Sequence, residues 1–311
     1  MAFYALTRQK VDLEKTKFLF LPSASISLEI IGNYLRLKKY SLTLTEPCFD
    51  NLANIFKRHD VRLESLPDTC LGADNWDGRL DAVHTDAICI VSPNNPTGNC
   101  YTQANFEQLV QHCKKNGQLL ILDTSFRAYS PDESVFDEYH ILQESGIDFI
   151  VVEDTGKTWP TKELKVSMLA IPSSIYDDIY DIYTDFIYHH SPFTIRLLTE
   201  FIKHSQHDNL ASIRQVVATN RAALYKALEG SPLRPTEKPY TSVSWLQLED
   251  GYAAKKVVAS LAGAGIFILP GNYFFWSDKS LGDHFVRISL VRDPATFARA
   301  CAQMHQTLTH L

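Results

Sequence analysis

The sequence predicts an α/β chain in which a mostly parallel sheet flanked by helices is followed by a smaller α+β domain. In the first two thirds of the chain, short apolar runs of strand length alternate with helical segments, which is typical of a parallel sheet covered on both faces. After about Asn209 the pattern changes to a long amphipathic helix followed by strands and helices in another order. We therefore divide the chain into a large domain, 1–208, and a small C-terminal domain, 209–311, whose first helix bridges the two.

The individual elements follow from the apolar runs and from residues that begin or end helices. One helix is especially clear, because Thr102 is suited to be its N-cap and Gly117 can end it. The large-domain strands are predicted at 18–21, 41–44, 61–66, 87–91, 118–122 and 148–152, with a helix at 27–37. The small domain is predicted to have helices at 213–228, at 253–262 and from 294 onwards, and strands at 243–248, 265–270 and 285–290.

The composition argues against several classes of partner. Of the 311 residues, 30 are Lys or Arg and 36 are Asp or Glu, without a long run of either sign, so neither nucleic acid nor an anionic membrane is expected. The N-terminus is too charged for a signal peptide, and no apolar run is long enough to span a bilayer. The six cysteines are scattered without a CxxC pair, so we expect buried, reduced thiols, a cytoplasmic protein and no metal site.

The residues that follow each apolar run are the first candidates for a site, because ligands of such sheets bind outside the carboxyl ends of the strands. Ser23, Ala24 and Ser25 follow the first strand and open a helix, where N–H groups and hydroxyls can bind a phosphate. An ordinary N-cap is the simpler interpretation. Lys165 is a second candidate for binding the phosphate, with a solvated surface charge as the alternative.

Three further residues are suited to holding a flat aromatic ring. Phe49 can stack on it, although a core Phe is the more common interpretation. Asn95, in the turn Asn-Pro-Thr-Gly after a buried strand, can donate to a phenolic oxygen, or the segment is only a turn. Asp123 ends a strand and can pair with a protonated pyridine nitrogen, which keeps the ring an electron sink. Alternatively, Asp123 caps the turn that follows it.

Two basic residues complete the group of candidate site residues. Lys157 follows the strand at 148–152, and its amine can form a Schiff base and then move a proton, whereas most lysines are solvated surface groups. Arg287 lies within an apolar strand, and its forked donors match an α-carboxylate, with an internal ion pair as the alternative. Each residue alone is a weak signal, and their order after successive strands is the stronger one.

In this order the residues resemble class I/II aminotransferases, which are pyridoxal-phosphate (PLP) enzymes of fold type I, from about the first strand to the C-terminus. The resemblance implies that Lys157 holds PLP as an aldimine, that Asp123 contacts the ring nitrogen, that Asn95 contacts O3′ and that Phe49 stacks on the ring. It also implies that Arg287 holds the substrate carboxylate, and that the large domain has the PLP fold type I.

Several departures from the family pattern bear on activity. Phe126 stands where a Tyr usually hydrogen-bonds O3′, so the aldimine loses one donor and its pKa should differ. Asp154 stands where the family often has a hydroxyl near the phosphate, and because a carboxylate beside a dianion is repelled, we expect Asp154 to face a cation. Lys165 stands where Arg is common. The several dozen residues that the family has before its first strand lack a counterpart, so we expect a naturally short or a truncated chain.

The segment 154–161, which contains Asp154 and Lys157, resembles together with Lys165 and Arg287 a narrower branch, the PLP-dependent arginine oxidases and hydroxylases that use O2. In the chemistry that the resemblance implies, freed Lys157 removes the Cα proton of an L-amino acid and Asp123 stabilises the resulting quinonoid.

Two reactions can follow. An aminotransferase passes the amino group to a 2-oxo acid, whereas an oxidase or hydroxylase passes electrons to O2 and acts on L-arginine or a related cationic amino acid, whose guanidinium Asp154 could face. A third hypothesis is a non-catalytic remnant of the PLP fold. By resemblance we also expect a homodimer.

Overall fold

The computed structural model of the protein describes residues 2–72, 78–159, 161 and 164–309. Its larger sheet contains β1 (Thr16–Leu21), β2 (Leu42–Glu46), β3 (Leu63–Pro67), β4 (Ala87–Val91), β5 (Leu119–Asp123), β6 (Phe149–Asp154) and β7 (Ser167–Pro172). The strand order is β1-β7-β6-β5-β4-β2-β3. The pairs from β3 to β6 are parallel, and β7 is antiparallel to both of its neighbours. The predicted mostly parallel sheet is confirmed, and β7 is a strand that the apolar pattern did not reveal.

The helices that accompany this sheet are α1 (Ala2–Leu6), α2 (Ala24–Lys38), α3 (Asp50–Arg58), α4 (Gln103–Asn116), α5 (Glu138–Ser145), α6 (Thr155–Thr158), α7 (Ser173–Phe186) and α8 (Pro192–Ser205). The predicted ends of α4 are confirmed. Thr102 forms a capping box with Asn105, and Gly117 takes a left-handed conformation (φ 64°) that satisfies the end of the helix.

The strands of the larger sheet are buried on both faces, as expected for parallel strands between helices. Alternate residues along each strand belong to two separate apolar clusters. Cys89, Ile121 and Ile150 pack on the side of α2, α3 and α7. Ile88, Leu120 and Val151 pack on the side of α4 and α5, in a cluster that continues into the C-terminal part of the chain. The sheet is therefore a rigid platform whose strand ends hold fixed positions.

The C-terminal part contains α9 (Ala211–Ala227), β8 (Leu233–Pro235), β9 (Val243–Leu248), α10 (Ala254–Gly263), β10 (Leu269–Pro270), β11 (Phe285–Ser289) and α11 (Pro294–Leu308). The four strands form an antiparallel sheet in the order β10-β11-β9-β8. The predicted strand at 265–270 is too long, because only Leu269 and Pro270 pair with β11 and Pro270 has no N–H to donate. The domain boundary at 208/209 stays a prediction.

Two expectations from composition can be compared with the structure. All six cysteines are free and buried, as expected for thiols that act as small apolar side chains. Among the described residues, no helix combines the length and the apolar character that crossing a membrane requires.

A buried ion network lies behind the carboxyl ends of β5 and β6. Arg127 Nη1 is 2.7 Å from Glu138 Oε1, and Arg127 Nε donates to Glu153 Oε1 at 3.0 Å. The Tyr101 hydroxyl donates to the second oxygen of Glu138 at 3.0 Å. Two carboxylates thus share one guanidinium, and burial raises the pKa of Glu153 to about 7. The network ties the segment after Asp123 to the end of β6.

Replacing Glu153 by Gln should flatten the pH dependence of stability. Because the pKa of Glu153 is raised on folding from 4.5 to about 7, the native state binds this proton more tightly than the unfolded chain does. The free energy of unfolding therefore falls as the pH rises through this interval. We expect the urea midpoint of the wild type to decrease more between pH 4.5 and 7 than that of Glu153→Gln. Glu64→Gln, which changes an exposed carboxyl, is the control, and equal slopes for Glu153→Gln and the wild type would contradict the prediction.

Candidate active site

The candidate residues meet at the carboxyl edge of the larger sheet. In the parallel register, Val91 lies opposite Asp123, and Asp123 lies opposite Val152, two residues before Asp154. The turn that contains Asn95 and the helical turn that contains Lys157 follow these strand ends directly. Residues that are far apart in the chain are thereby brought to one edge, as expected for a sheet of this type.

Asp123 is buried at the end of β5. Its Oδ1 accepts hydrogen bonds from the backbone N–H of Ser125 at 3.0 Å and from the Ser125 hydroxyl at 2.5 Å, so it does serve the turn that follows. Burial raises the pKa of Asp123, and the Ser125 hydrogen bonds and the nearby ammonium of Lys157 act against that rise. A cation placed beside this carboxylate would stabilise its charged form further.

Lys157 lies in α6 with its ammonium over the ring of Phe49, 5.3 Å from the ring centroid. Phe49 immediately precedes α3 and is half-buried. The backbone of Lys157 is held by the Tyr129 hydroxyl, which donates to the Lys157 carbonyl oxygen at 3.3 Å. Phe126 is buried, and its ring lies 6.2 Å from that of Tyr129. The cation and the aromatic face that the sequence singled out therefore do lie together.

Asp154 differs from the expectation that it faces a cation. Its Oδ1 accepts from the N–H of Gly156 at 2.8 Å, and its Oδ2 accepts from the N–H of Ala24 at 3.4 Å. Within the described part of the chain Asp154 forms no ion pair. Two backbone amides, one of them in the first turn of α2, supply the positive partial charge that the carboxylate needs. The Ala24 amide, a candidate phosphate donor, is thus directed to Asp154.

The other candidates for phosphate binding surround this point. The Ser23 side chain accepts from the N–H of Ile26 and caps α2, as the simpler interpretation predicted, while Ser25 Oγ accepts from Asn51 at 3.2 Å. The stem of Lys165 packs against Gly156 so closely that a Cβ at that glycine would lie 2.6 Å from Lys165 Cδ. Any side chain at position 156 would therefore displace Lys165.

Arg287 reaches the same edge from β11. Its Nη1 donates to Asn95 Oδ1 at 3.5 Å, and its guanidinium lies 5.3 Å from the ring centroid of Phe274. Its Nε is buried without a hydrogen-bond partner among the described residues. Burial lowers the pKa of Arg287, and the charge of Asp50 acts against this. A buried guanidinium with a donor left over is suited to an anion that arrives from solution.

The turn that carries Asn95 depends on a carboxylate that the sequence did not reveal. Asp68 Oδ2 accepts from Asn94 Nδ2 at 2.7 Å, from Asn99 Nδ2 at 3.0 Å and from the Thr97 hydroxyl. Asp68 follows β3, and no apolar run or motif marks it as part of a site. Its three donors all come from one turn, so Asp68 fixes the conformation of the turn from which Asn95 contacts Arg287.

These residues fit a PLP molecule. The buried Asp123 carboxylate has an elevated pKa that a pyridinium would lower, and Phe49 and Lys157 lie together beside the same strand ends. The orphaned Nε of Arg287 matches the carboxylate of an amino acid substrate.

Comparison with known proteins agrees with this chemistry. The family model described as "Aminotransferase class I and II" matches residues 1–304. The LL-diaminopimelate aminotransferase of Chlamydia pneumoniae is 24% identical over 265 residues, which are 83% of this chain and 65% of that protein. The chain thus spans just under two thirds of the length of this curated relative.

Solved structures are similar over nearly the whole chain. A structure of MppP soaked with the product 2-ketoarginine has a TM-score of 0.91 and 30% identity, and the match covers 99% of this chain and 87% of that one. The α-aminoadipate aminotransferase LysN from Thermus thermophilus, complexed with N-(5′-phosphopyridoxyl)-L-leucine, has a TM-score of 0.78 at 18% identity, with 94% and 77% coverage, and shares the fold.

Loss of the Asp68 carboxylate should weaken cofactor binding through the turn it holds. We expect Asp68→Leu to lower the affinity for PLP by about tenfold, since an unmet buried hydrogen bond to a charged group costs about 1.5–3 kcal/mol. Asp68→Asn, which keeps one oxygen acceptor, should lie between Leu and the wild type. The measurement is a PLP titration of the cofactor-free chain, with the exposed Asp81→Asn as control. Unchanged affinity in both Asp68 variants would show that Asn95 does not need this carboxylate.

Proposed function

The chain belongs to the class I and II aminotransferase family, and from this membership we propose that it is a PLP enzyme that acts at the Cα of a cationic L-amino acid. Lys157 is the residue that binds the cofactor covalently. The observation that carries the proposal is the meeting of Lys157, Asp123 and Phe49 at one edge of the sheet, where the lysine ammonium lies 5.3 Å from the Phe49 ring centroid.

When bound, PLP supplies an electron sink that stabilises negative charge developing at Cα. The protein's own residues do the rest. Asp123 would hold the proton on the ring nitrogen, and Phe49 would support the ring. The amine of Lys157 would accept the Cα proton as general base. Arg287 binds the substrate carboxylate with its forked donors and thereby orients the Cα–H bond.

The amino acid leaves as a 2-oxo acid in either of two candidate reactions. In transamination, its amino group passes to a second 2-oxo acid, which becomes an amino acid. In oxidation, the amino acid, O2 and water give the 2-oxo acid, ammonia and hydrogen peroxide. Membership of the family favours the first reaction. The second is favoured by the similarity to MppP, whose stated product 2-ketoarginine is the 2-oxo acid of arginine.

The carboxylates at the site support a cationic substrate. Asp154 is buried and receives only backbone amides from the described residues, so its charge is not neutralised by a side chain. Asp50 lies close enough to Arg287 to influence its pKa. A guanidinium or ammonium on the substrate would find negative charge on this side of the sheet.

Exposed aromatic side chains support a homodimer. Tyr188 lies between α7 and α8 and is 84% exposed, and Phe193 lies in the first turn of α8 and is 67% exposed. Phe186 and Phe201 are also exposed. Large exposed aromatic groups in one region are typical of an interaction surface. The second substrate and the cytoplasmic location stay predictions.

Lys157→Ala tests the assignment of the cofactor lysine. The wild type loaded with PLP should show the visible absorption of lysine-linked PLP, and borohydride reduction should leave the cofactor attached to the peptide that contains Lys157. Lys157→Ala should lose both signals. Lys165→Ala is the matched control and should keep the covalent bond while binding PLP more weakly. Attachment to another lysine, or no attachment in the wild type, would contradict the proposed function.

The loaded wild type then separates the two reactions. With L-arginine, oxygen consumption with release of ammonia and peroxide indicates the oxidase. Formation of a new amino acid from an added 2-oxo acid, without oxygen consumption, indicates the aminotransferase. If neither reaction is seen with arginine or with a panel of other amino acids, the chain binds PLP without turnover.

Asp154→Asn should selectively weaken the binding of cationic substrates. The variant keeps one oxygen, which can still accept from the Gly156 N–H, but it removes the charge and the longer contact from Ala24. KM for arginine and lysine should therefore rise about tenfold while KM for neutral amino acids changes little. The measurement is the ratio of kcat/KM values for arginine and for its neutral isostere citrulline. Equal losses for both would show that Asp154 only shapes the backbone.

A further inference from the structure

Glu46 is a buried carboxylate that the proposed chemistry does not use. It is the last residue of β2 and lies three positions before Phe49. Its Oε1 accepts from the backbone N–H groups of Trp276 and Ser277, the latter at 2.7 Å. Its Oε2 accepts from the hydroxyls of Ser277 and Ser65, the latter at 2.7 Å. Four neutral donors therefore converge on one carboxylate, and hydrogen bonds to a charged group are stronger than those between neutral groups.

Two of these residues, Trp276 and Ser277, belong to a loop that joins β10 to β11. Further contacts hold the same loop to the end of β2. Cys48 N donates to the Phe274 carbonyl at 3.1 Å, and Lys57 Nζ donates to the Trp276 carbonyl at 2.9 Å with its ammonium 5.3 Å from the Trp276 ring centroid. At the start of the loop, a Cβ on Gly271 would lie 2.5 Å from the Phe285 Cβ, so the loop also packs directly on β11.

The loop carries the ring that supports Arg287. Phe274 is 1% exposed and lies edge-on to Trp245 of β9, with 5.4 Å between the ring centroids. The Arg287 guanidinium lies 5.3 Å from the same Phe274 ring. Arg287 Nε has no hydrogen-bond partner among the described residues. The Phe274 ring, the long contact to Asn95 and the attraction of the Asp50 charge are therefore what locate the guanidinium.

We propose that Glu46 is a positioning residue that sets the Arg287 guanidinium at the substrate carboxylate by holding the loop that carries Phe274. One carboxylate then fixes two parts of the site, since the chain that leaves Glu46 leads directly to Phe49. The proposal rests on the proposed function, in which Arg287 binds the α-carboxylate. A buried carboxylate is suited to this task because it accepts four hydrogen bonds, whereas the single oxygen of a Gln accepts fewer.

A ligand pair that differs only at the carboxylate and Cα tests the proposal. 2-Methyl-L-arginine has no Cα proton to lose and binds without turnover, and agmatine lacks the carboxylate. Both are titrated into the PLP-loaded wild type, Glu46→Ala, Glu46→Gln, Arg287→Ala and the control Glu64→Ala. If the wild type binds neither ligand, the same pair is made from the amino acid that it does bind.

For Glu46→Ala we expect binding of the carboxylated ligand to weaken about tenfold, because a misplaced guanidinium loses its bidentate geometry, while agmatine binding changes less than about twofold. Glu46→Gln keeps one oxygen acceptor and should lie between Glu46→Ala and the wild type, and Glu64→Ala should equal the wild type. Equal loss of both ligands in Glu46→Ala, or no loss of either, overturns the proposal.

The Arg287→Ala arm separates this failure from a failure of the proposed function. If Arg287→Ala keeps the wild-type preference for the carboxylated ligand, the role of Arg287 is wrong and the proposal falls with it. If Arg287→Ala loses the preference and Glu46→Ala keeps it, only the role of Glu46 is wrong.

A second readout needs no cofactor. Lys279 is exposed and lies in the same loop, two residues after Ser277, so trypsin cleavage there reports how firmly the loop is held. In the cofactor-free chain, Glu46→Ala should be cut at Lys279 several times faster than the wild type and Glu64→Ala. Cleavage at the wild-type rate would show that Glu46 does not hold the loop and would overturn the proposal.

Discussion

The parallel hydrogen bonding of β4, β5 and β6 brings three distant segments of the chain to one edge of the sheet. Because the register pairs Val91 with Asp123 and Asp123 with Val152, the turns that follow these strands must leave the sheet side by side. Apolar side chains on both faces hold the strands in this register, since a shift of one residue would turn each buried side chain to the opposite face. The sheet therefore fixes where the turns lie, and the side chains in those turns determine the chemistry of the site.

Several buried carboxylates lie at or directly after the ends of the strands in the larger sheet. Glu46, Asp68, Asp123 and Asp154 are all buried, and the hydrogen bonds they accept from described residues come from backbone amides, hydroxyls and side-chain amides. These donors stabilise each carboxylate without cancelling its charge. The residual field lowers the free energy of any cation brought to this edge, whether a protonated pyridine ring or a basic substrate side chain. Burial lowers the pKa of Arg287, and the charge that acts against this is that of Asp50.

The parts of the site are held by different means. Lys157 and Phe49 lie in short segments directly after strands of the larger sheet, so their positions depend mainly on that sheet. Arg287 comes from the second sheet, and its position relative to Asn95 depends on contacts between two sheets, through Phe274 and the loop that Glu46 holds. Such contacts can be lost while both sheets stay folded. Selective effects on substrate binding are therefore expected from residues in the second group, and effects on cofactor binding from residues in the first.

This difference also determines what the sequence could reveal. Strand ends, helix caps and the residues that follow them are local features, and the apolar runs located Asp123, Lys157 and the ends of α4. Glu46 and Asp68 act through hydrogen bonds to residues up to 231 positions away, and a single chain contains no local pattern for such a pair. Asp154 shows the same limit. Coulomb repulsion predicts that its carboxylate lies away from a phosphate, whereas the amides of Ala24 and Gly156, which carry no side-chain signal, decide where it lies among the described residues. Residue types therefore indicate which groups are candidates for the site, and the tertiary contacts determine how each is oriented.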